Sequence, residues 1–464
     1  MAPRSIMATV VEDQPESDHG RDFGDEPRSW VVTTDIYTYI GVIVEVLNES
    51  IPRSAWLVIG DKSNRSIHSR LILAYTMITM MVLLGSMMTV IFLAASKSLA
   101  AAFVPVGVRD ASINYVRVSS VQALTSAIEA AVSSSTRAMD NPDVPLIIST
   151  TKFIVNIILD LLFISKFHVG SGKPTVITQA IIRLVCDTSS VVFGLLYFWL
   201  IVVKQKTAKI DRVSERMKIT FESVMLLVRP SVYTFTESAI RNAIYLWLVH
   251  RIISLGPDYA AAWGVFNTIR WGLVMIVVQA LEASTLTFIG HNWGRFRSSH
   301  RTRYPRVSRA EIWVIVGPAM VSCLIAVTFE VALCAALSVH GIESFAYYLS
   351  GSRTVAAITQ KVWRAIDWTY IFYAANCQLA AILLATSPQW YLYQSLGSNF
   401  LWMLPWAIVA TTMSWSQESS WKFYAIIFGG ALVFDVFAVG STLLLWMKRL
   451  SKGKIRAAPD AAIS

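Results

Sequence analysis

Long apolar stretches separated by short polar loops run along most of the chain, and this pattern predicts membrane-spanning helices. Roughly 20 apolar residues are needed for a helix to cross a bilayer. A membrane β-barrel would instead show alternating strands of about ten residues. The predicted spans cover approximately residues 33–60, 69–98, 112–135, 146–167, 174–203, 221–254, 259–290, 311–339, 358–386, 390–412 and 422–447. We therefore predict an all-α integral membrane protein, a polytopic bundle in which about 11 spans are visible.

The lysines and arginines between these spans cluster on alternate loops. Basic clusters follow the first, fifth and seventh spans and fill the C-terminal tail, at residues 62–70, 204–218, 295–309 and 448–456. Loops such as 167–174 and 338–351 carry almost no positive charge. Because cytoplasmic loops carry an excess of lysine and arginine, the pattern places the basic loops and the C-terminus in the cytosol. A plasma membrane or a vacuolar membrane fits this arrangement.

Composition excludes several classes of protein. Of the 464 residues, 55% are hydrophobic and 15% charged, whereas soluble domains carry about a quarter charged residues. The net charge of +10 lies in short loops rather than in one basic patch, which argues against a nucleic-acid partner. The four cysteines lie in apolar stretches without a CxxC pair, so we expect buried thiols and no bound metal. The sequence shows no catalytic or nucleotide-binding motif, so we expect neither an enzyme nor a cofactor.

The longest linker between spans predicts a division of the chain into two lobes. The predicted parts are an acidic disordered tail (1–30), an N-lobe of five spans (31–203), a basic cytosolic linker (204–220), a C-lobe of six spans (221–447) and a basic tail (448–464). Segments 56–60 and 286–290 each end a span with glycine before a basic loop, which suggests related halves. Secondary transporters commonly bind substrate between such halves.

The first candidate site is the pair Asn156 and Asp160 in the fourth span. A spacing of four residues puts both side chains on one helix face. An amide oxygen beside a carboxylate can bind Na+, or the amide can hold a carboxylate that takes up a proton. The alternative is a hydrogen bond between helices that serves only the structure.

Glu237 and Asp367 are the second and third candidates, because ionisable groups at membrane depth are costly and indicate function. Each has an arginine one helical turn away, Arg241 after Glu237 and Arg364 before Asp367. A structural ion pair is therefore the competing interpretation for both. The functional interpretation is a carboxylate that exchanges a proton for a cationic substrate, although a permanent arginine partner opposes protonation.

Several segments taken together resemble the MATE (multidrug and toxic compound extrusion) family, in particular its eukaryotic, fungal-like members. The segments similar to the family's fourth, fifth, seventh and eighth helices are residues 115–117, 137–145, 156–160, 229–237 and 283–294. Asp367 falls where the tenth helix of the family carries its aspartate. The resemblance covers most of residues 35–445. The span at 33–60 matches the family's second helix, so the first transmembrane helix of the family has no counterpart.

This resemblance implies a two-lobe, 12-helix architecture with a central cavity. It also implies an antiporter that exports small organic cations, drugs or metabolites against H+ or Na+. Asn156 and Asp160 would then form the N-lobe cation site, with Tyr115 near the N-lobe cavity, and Glu237 and Asp367 would form the C-lobe site. Two alternatives stay open, a lipid-linked oligosaccharide flippase and a non-transporting membrane remnant or scaffold. A flippase would gather Arg117, Arg137, Arg183, Arg241, Arg270 and Arg364 around one chamber.

Overall fold

A computed structural model describes residues 27–61, 65–104, 109–141, 143–164, 175–203, 219–300, 302, 304–339, 341–413 and 417–455. Within these ranges every regular element is helical. The predicted acidic tail lies outside the described residues up to position 26, as do the linker at 204–218 and the C-terminal tail from 456.

The N-terminal half builds five helical rods. Its helices are α1 (Pro27–Asn48), α2 (Ile51–Val58), α3 (Ile67–Ala94), α4 (Ser96–Phe103), α5 (Arg109–Ser119), α6 (Gln122–Ala138), α7 (Asp143–Phe163) and α8 (Val176–Tyr197). Three rods are broken into consecutive helices, α1 with α2, α3 with α4 and α5 with α6. Each of the five rods corresponds to one span predicted from the sequence.

The C-terminal half builds six rods and one short extra helix. Its helices are α9 (Phe221–Ile253), α10 (Pro257–Ile269), α11 (Met275–Ser299), α12 (Arg309–Val339), α13 (Ile342–Ser350), α14 (Arg353–Ile366), α15 (Tyr370–Thr386), α16 (Pro388–Ser398), α17 (Leu404–Thr412) and α18 (Gln417–Ser451). Three π-helical segments interrupt or extend rods, at Phe198–Val203, Arg270–Val274 and Asn399–Met403.

Several helices begin where the sequence supplies a capping side chain. A serine or threonine hydroxyl accepts a hydrogen bond from the backbone N–H three residues later, which satisfies a donor that the helix leaves free. Such caps are found at Ser66, Thr175, Thr220 and Ser352. They fix the start of α3, α8, α9 and α14.

The outer surface of the bundle is apolar, as a bilayer requires. Seven helical segments of the described chain are long and apolar enough to cross a membrane. Large apolar side chains on their outer faces are exposed, for example Leu83 at 66%, Leu324 at 70% and Phe437 at 69%. A patch of this size on a soluble monomer would be unusual. The protein is an integral membrane protein, as the sequence predicts.

The rod formed by α1 and α2 lies between the two lobes. It packs against α6 in its own half and against α9, α10 and α11 in the other half. Near its end, Trp56 meets Gly290 of α11, where a Cβ placed on the glycine would lie 3.6 Å from the Trp56 Cβ. The two segments that share a sequence pattern, 56–60 and 286–290, therefore contact each other across the lobe interface.

The buried apolar residues form two large clusters, one towards each end of the bundle. The cluster at the end where α2 meets the loop to α3, here called the basic end, includes Trp56, Trp293 and Trp446. The cluster at the opposite end includes Trp263 and Trp363. Both clusters contain residues of both lobes. Most of the charged side chains that line cavities lie in the layer between them.

Candidate functional site

A chamber of about 240 Å³ lies in the middle of the bundle, and its walls come from both lobes. The α1–α2 rod supplies one wall, while α9, α11, α15, α16 and α18 supply most of the others. The charged residues that line it are Glu45, Glu49, Arg53, Glu237, Arg241, Arg270, Glu282 and Asp435. We call it the central chamber.

Arg241 of α9 connects three carboxylates in this chamber. Its Nε lies 3.0 Å from Glu237 Oε1 on the preceding turn of the same helix. Its Nη2 donates a short hydrogen bond to Glu49 of α1–α2, and its Nη1 lies 3.8 Å from Glu45 Oε1. The Arg241 guanidinium therefore joins the C-lobe to the rod that lies between the lobes.

Arg53 makes the reciprocal connection from the α1–α2 rod into the C-lobe. Its Nη2 lies 2.6 Å from Glu49 Oε1 and 3.5 Å from Glu282 Oε1 of α11. Its Nη1 donates a hydrogen bond of 3.0 Å to the Tyr391 hydroxyl of α16. Two arginines and four carboxylates thus form one continuous network across the lobe interface.

The central chamber carries more negative than positive charge. Five carboxylates line it against three guanidiniums, an excess of two when all are ionised. Glu237 is only 1% exposed, and its Oε1 accepts hydrogen bonds from Arg241 and from Ser395 at 2.8 Å. Its Oε2 is buried without a hydrogen-bond partner. A buried carboxylate oxygen of this kind is costly unless a proton or a cation occupies it.

A second, larger chamber of about 710 Å³ lies beside the first, between α1, α7 and α8 of the N-lobe and the α10–α11 rod of the C-lobe. We call it the N-lobe chamber. Trp271, in the π-helical segment, lines both chambers. At the rim, Phe153 and Ile276 are 41% and 50% exposed, so this chamber has an apolar entrance.

Inside the N-lobe chamber, Asp187 already has a cationic partner. The Lys152 ammonium lies 2.6 Å from Asp187 Oδ1, and the Tyr37 hydroxyl donates to Asp187 Oδ2 at 3.0 Å. The Arg183 guanidinium carbon lies 4.6 Å from the centre of the Tyr37 ring. Tyr37 therefore takes part in two contacts on this wall. Its hydroxyl binds the carboxylate of the Lys152–Asp187 ion pair, and its ring lies against the Arg183 guanidinium.

Comparison with solved structures shows which fold contains these chambers. A MOP superfamily transporter from Pyrococcus furiosus aligns over 97% of this chain and 95% of its own, with a TM-score of 0.69 and 13% identity. A MATE family transporter in the outward-facing conformation aligns over 95% of this chain and 100% of its own, with a TM-score of 0.59 and 14% identity. The fold is that of the MATE transporters.

The same MATE fold in its inward-facing conformation gives a TM-score of 0.62 at 13% identity, over 97% of this chain and 99% of the other. The Pyrococcus protein is described as having a binding pocket of reversed polarity that suggests a different function. No protein-family model matches the chain, and no curated protein matches its sequence.

The structure brings two of the five predicted site residues to the chambers of this MATE fold. Glu237 lines the central chamber and Asn156 lines the N-lobe chamber. Asp160, one turn beyond Asn156, is not among the residues that line either chamber.

Neither Tyr115 nor Asp367 lines a chamber, but only Asp367 lies away from both. Tyr115 is fully buried directly behind the N-lobe chamber, as predicted, because its hydroxyl donates at 3.5 Å to the carbonyl oxygen of Thr34, which lines that chamber. Asp367 is in a 3-10 turn between α14 and α15, where its carboxylate accepts hydrogen bonds from the Ser338 hydroxyl and its neighbour's backbone N–H. Asp367 therefore does not share a chamber with Glu237.

The arginines that would favour a flippase do not converge on one chamber. Arg241 and Arg270 line the central chamber, and Arg183 lines the N-lobe chamber. Arg364 lines a third, small cavity of about 170 Å³. The arrangement therefore lacks a single cationic chamber among the residues that the structure describes.

Sequence reasoning missed the most highly charged helix of the site. Glu45, Glu49 and Arg53 follow one another at intervals of four, which places them on one face of a helix. The signal was present in the sequence, since three ionisable residues on one face of a membrane span are unusual. This span is the most polar of those predicted, so it differs less from its flanking loops and its charged face is harder to recognise.

Proposed function

We propose that this protein is a secondary antiporter that exports small organic cations or metabolites in exchange for H+ or Na+ by alternating access. The observation that carries the proposal is the excess of two carboxylates in a central chamber whose walls come from both lobes. The MATE fold supports it, because solved transporters of this fold are found in both outward-facing and inward-facing conformations.

The chemistry of antiport follows from competition for the same carboxylates. An excess of buried negative charge must be neutralised by a bound proton, a metal cation or the substrate cation. Occupation by one of these lowers the affinity of the site for the others, so a gradient of the coupling ion releases the substrate. Glu237 is the natural point of exchange, because one of its two oxygens has no partner inside the protein.

The lobe-bridging arginines connect this binding event to movement. Arg241 divides its hydrogen bonds between Glu237 of the C-lobe and Glu49 of the α1–α2 rod. When a cation or proton neutralises Glu237, its attraction to Arg241 weakens and the arginine interacts more strongly with Glu49. A ligand shifts a conformational equilibrium only through such a difference in interaction between the two states.

The test is transport by the purified full chain in liposomes loaded with ethidium, with a pH gradient or a sodium gradient applied in separate experiments. Glu237→Gln should abolish gradient-driven efflux while the protein remains folded. Asp160→Asn tests the N-lobe cation site that the family resemblance implies, although Asp160 itself lines neither chamber, and it should abolish efflux if that site is used. Glu222→Gln is the matched control, because Glu222 is an exposed residue in the first turn of the same helix as Glu237.

The two gradients separate the coupling ions, and the variants test the assignment of the sites. Normal efflux in both Glu237→Gln and Asp160→Asn would refute these residues as coupling sites. Wild-type protein that moves no cation under either gradient would refute antiport itself and favour a membrane scaffold.

A further inference from the structure

The N-lobe chamber contains one buried carboxylate that forms no salt bridge with a described residue. Asp35 of α1 is 7% exposed and lines this chamber. The Tyr39 hydroxyl and the Asn267 amide both donate to its Oδ2, the latter at 3.3 Å. Both donors are neutral, and no described lysine, arginine or histidine lies within salt-bridge distance of Asp35, although the Arg270 guanidinium is near enough to act on its charge without contacting it. Asp187, on the other side of the chamber, contrasts with it because Lys152 neutralises that carboxylate.

A second buried group beside Asp35 also lacks a partner. Asn267 of α10 is 1% exposed and lines the same chamber. Its Nδ2 is used by the bond to Asp35, while its Oδ1 is buried without a hydrogen-bond donor. Leaving a buried acceptor unsatisfied is costly. A ligand with positively charged N–H groups would therefore give the Asp35 carboxylate a charged hydrogen-bond donor and would give Asn267 Oδ1 the donor that it lacks.

The geometry points to the pair Asp35 and Asn267 as the binding site for the ammonium group of an organic amine. This inference rests on the proposed export of organic cations, because it names the group by which the N-lobe chamber recognises its substrate. One protonated amine offers two or three N–H donors, enough to bond the carboxylate and the amide oxygen together. The site joins the lobes, since Asp35 belongs to α1 and Asn267 to α10.

The rest of the chamber suits an organic body better than a bare metal ion. Its volume of about 710 Å³ lies in the range of ligand cavities, which are mostly apolar with a few placed polar groups. Tyr37, Trp271 and Val265 supply aromatic and aliphatic surface. The described residues contain no group of three or more His, Cys, Asp or Glu side chains that could hold a metal ion.

The close approach of the two helices explains how the pair is held. A Cβ added to Gly264, one turn before Asn267, would lie 2.9 Å from Val31 Cγ1 and 3.4 Å from Asp35 Cβ. Only glycine permits this contact without displacing the Val31 side chain. Gly272, by contrast, lines the chamber, and a Cβ added there would meet no atom within 4 Å, so we expect a large side chain at this position to extend into the chamber.

The experiment measures binding to the purified full chain by calorimetry, using 2-(1-naphthyl)ethylamine and its N,N,N-trimethyl counterpart, which has the same charge but no N–H donor. The primary amine should bind roughly tenfold more tightly. Asp35→Asn and Asn267→Leu should each remove this preference, mainly by weakening the primary amine. Gly272→Phe should block both ligands, whereas Gly317→Phe, at another helical glycine with open space, should bind like the wild type.

Equal binding of the two ligands by the wild type would overturn the inference, and so would an unchanged preference in Asp35→Asn and Asn267→Leu. Should Asp35→Asn fail to fold, Asn267→Leu and the ligand pair on the wild type still decide the question. A loss of affinity in NaCl relative to KCl, without a preference between the ligands, would identify a sodium site and also overturn it.

Transport of the same primary amine separates this inference from the proposed function. Amine binding that depends on Asp35, without efflux under either gradient, would keep the site and refute antiport. Efflux that is equal in the wild type and in Asp35→Asn, together with binding that ignores Asp35, would keep antiport and refute the site.

Discussion

Replacing Arg241 by glutamine tests whether the central network holds the two lobes together. The substitution keeps a side chain of similar length but removes the charge that faces Glu49, Glu237 and Glu45. The excess of carboxylates in the chamber would rise from two to three, because one of the three guanidiniums is lost. Glu45, Glu49 and Glu237 would then lie close together, with Arg53 as the remaining guanidinium that contacts one of them.

The size of the effect follows from how deeply each partner is buried. Removing one partner of a fully buried pair destabilises a protein by about 3–5 kcal/mol, while exposed pairs contribute less than about 1 kcal/mol. Glu237 and Glu49 are 1% and 12% exposed, but Arg241 itself is 34% exposed. Solvent therefore screens part of the interaction, and we expect a loss of about 2–3 kcal/mol, between these two limits.

The assay is equilibrium unfolding of the purified protein in detergent mixed with increasing SDS. Arg229→Gln is the matched control, since Arg229 is an exposed arginine on the same helix, and it should lose less than about 0.5 kcal/mol. Adding Glu49→Gln to Arg241→Gln should restore part of the lost stability, because the unpaired carboxylate is removed as well.

A loss below about 1 kcal/mol, as for an exposed pair, would refute the buried network. An equal loss in the single and double variants would refute the pairing of Arg241 with Glu49. Either result would mean that the lobes are held by apolar packing at the two ends of the bundle rather than by charge in the middle.

Two further substitutions test the packing and the basic end. Gly85→Ala should destabilise the N-lobe by about 1–3 kcal/mol, because the added Cβ would lie 2.9 Å from Ala127 Cβ. Gly317→Ala, which has open space, is the control in the same unfolding assay. Asp61→Asn breaks the 2.6 Å ion pair between Asp61 Oδ2 and Arg297 Nη2 across the lobes. It should increase hydrogen exchange at the basic ends of α2 and α11, and unchanged exchange would exclude this pair as a closing contact.

The sequence was sufficient to predict the rods but not their breaks. Apolar length and the alternation of basic loops depend on the bilayer, which acts on each span separately. The interruptions of α14 and α15 at Asp367 and of the α10–α11 rod at Arg270 depend on what packs against them. The family resemblance implies one C-lobe site for Glu237 and Asp367. Glu237, in the middle of an unbroken helix, lines the central chamber, whereas Asp367, at a helix break, lies elsewhere.

The pairing of residues between lobes was the other part that the sequence could not supply. Arg241 has one carboxylate partner on its own helix, Glu237, and the spacing of four gives that ion pair as one of two interpretations of the sequence. Its second partner, Glu49, is 192 positions away along the chain. Such a contact depends on how the α1–α2 rod is oriented between the lobes, and no local pattern encodes that orientation. Asn267 and Asp35 meet for the same reason.

The π-helical segment Arg270–Val274 would allow the two parts of the α10–α11 rod to rotate relative to each other about the rod axis. A π-turn contains one residue more than an α-turn, and each residue of an α-helix advances by about 100° around the axis. Passing this surplus residue along the rod would turn the side chains on either side of it relative to each other. Arg270 and Trp271 stand at this point, one lining the central chamber and the other lining both chambers. A rotation confined to a single turn would therefore replace the side chains that lie between the two chambers by others. The apolar clusters at the two ends of the bundle could stay packed during this change.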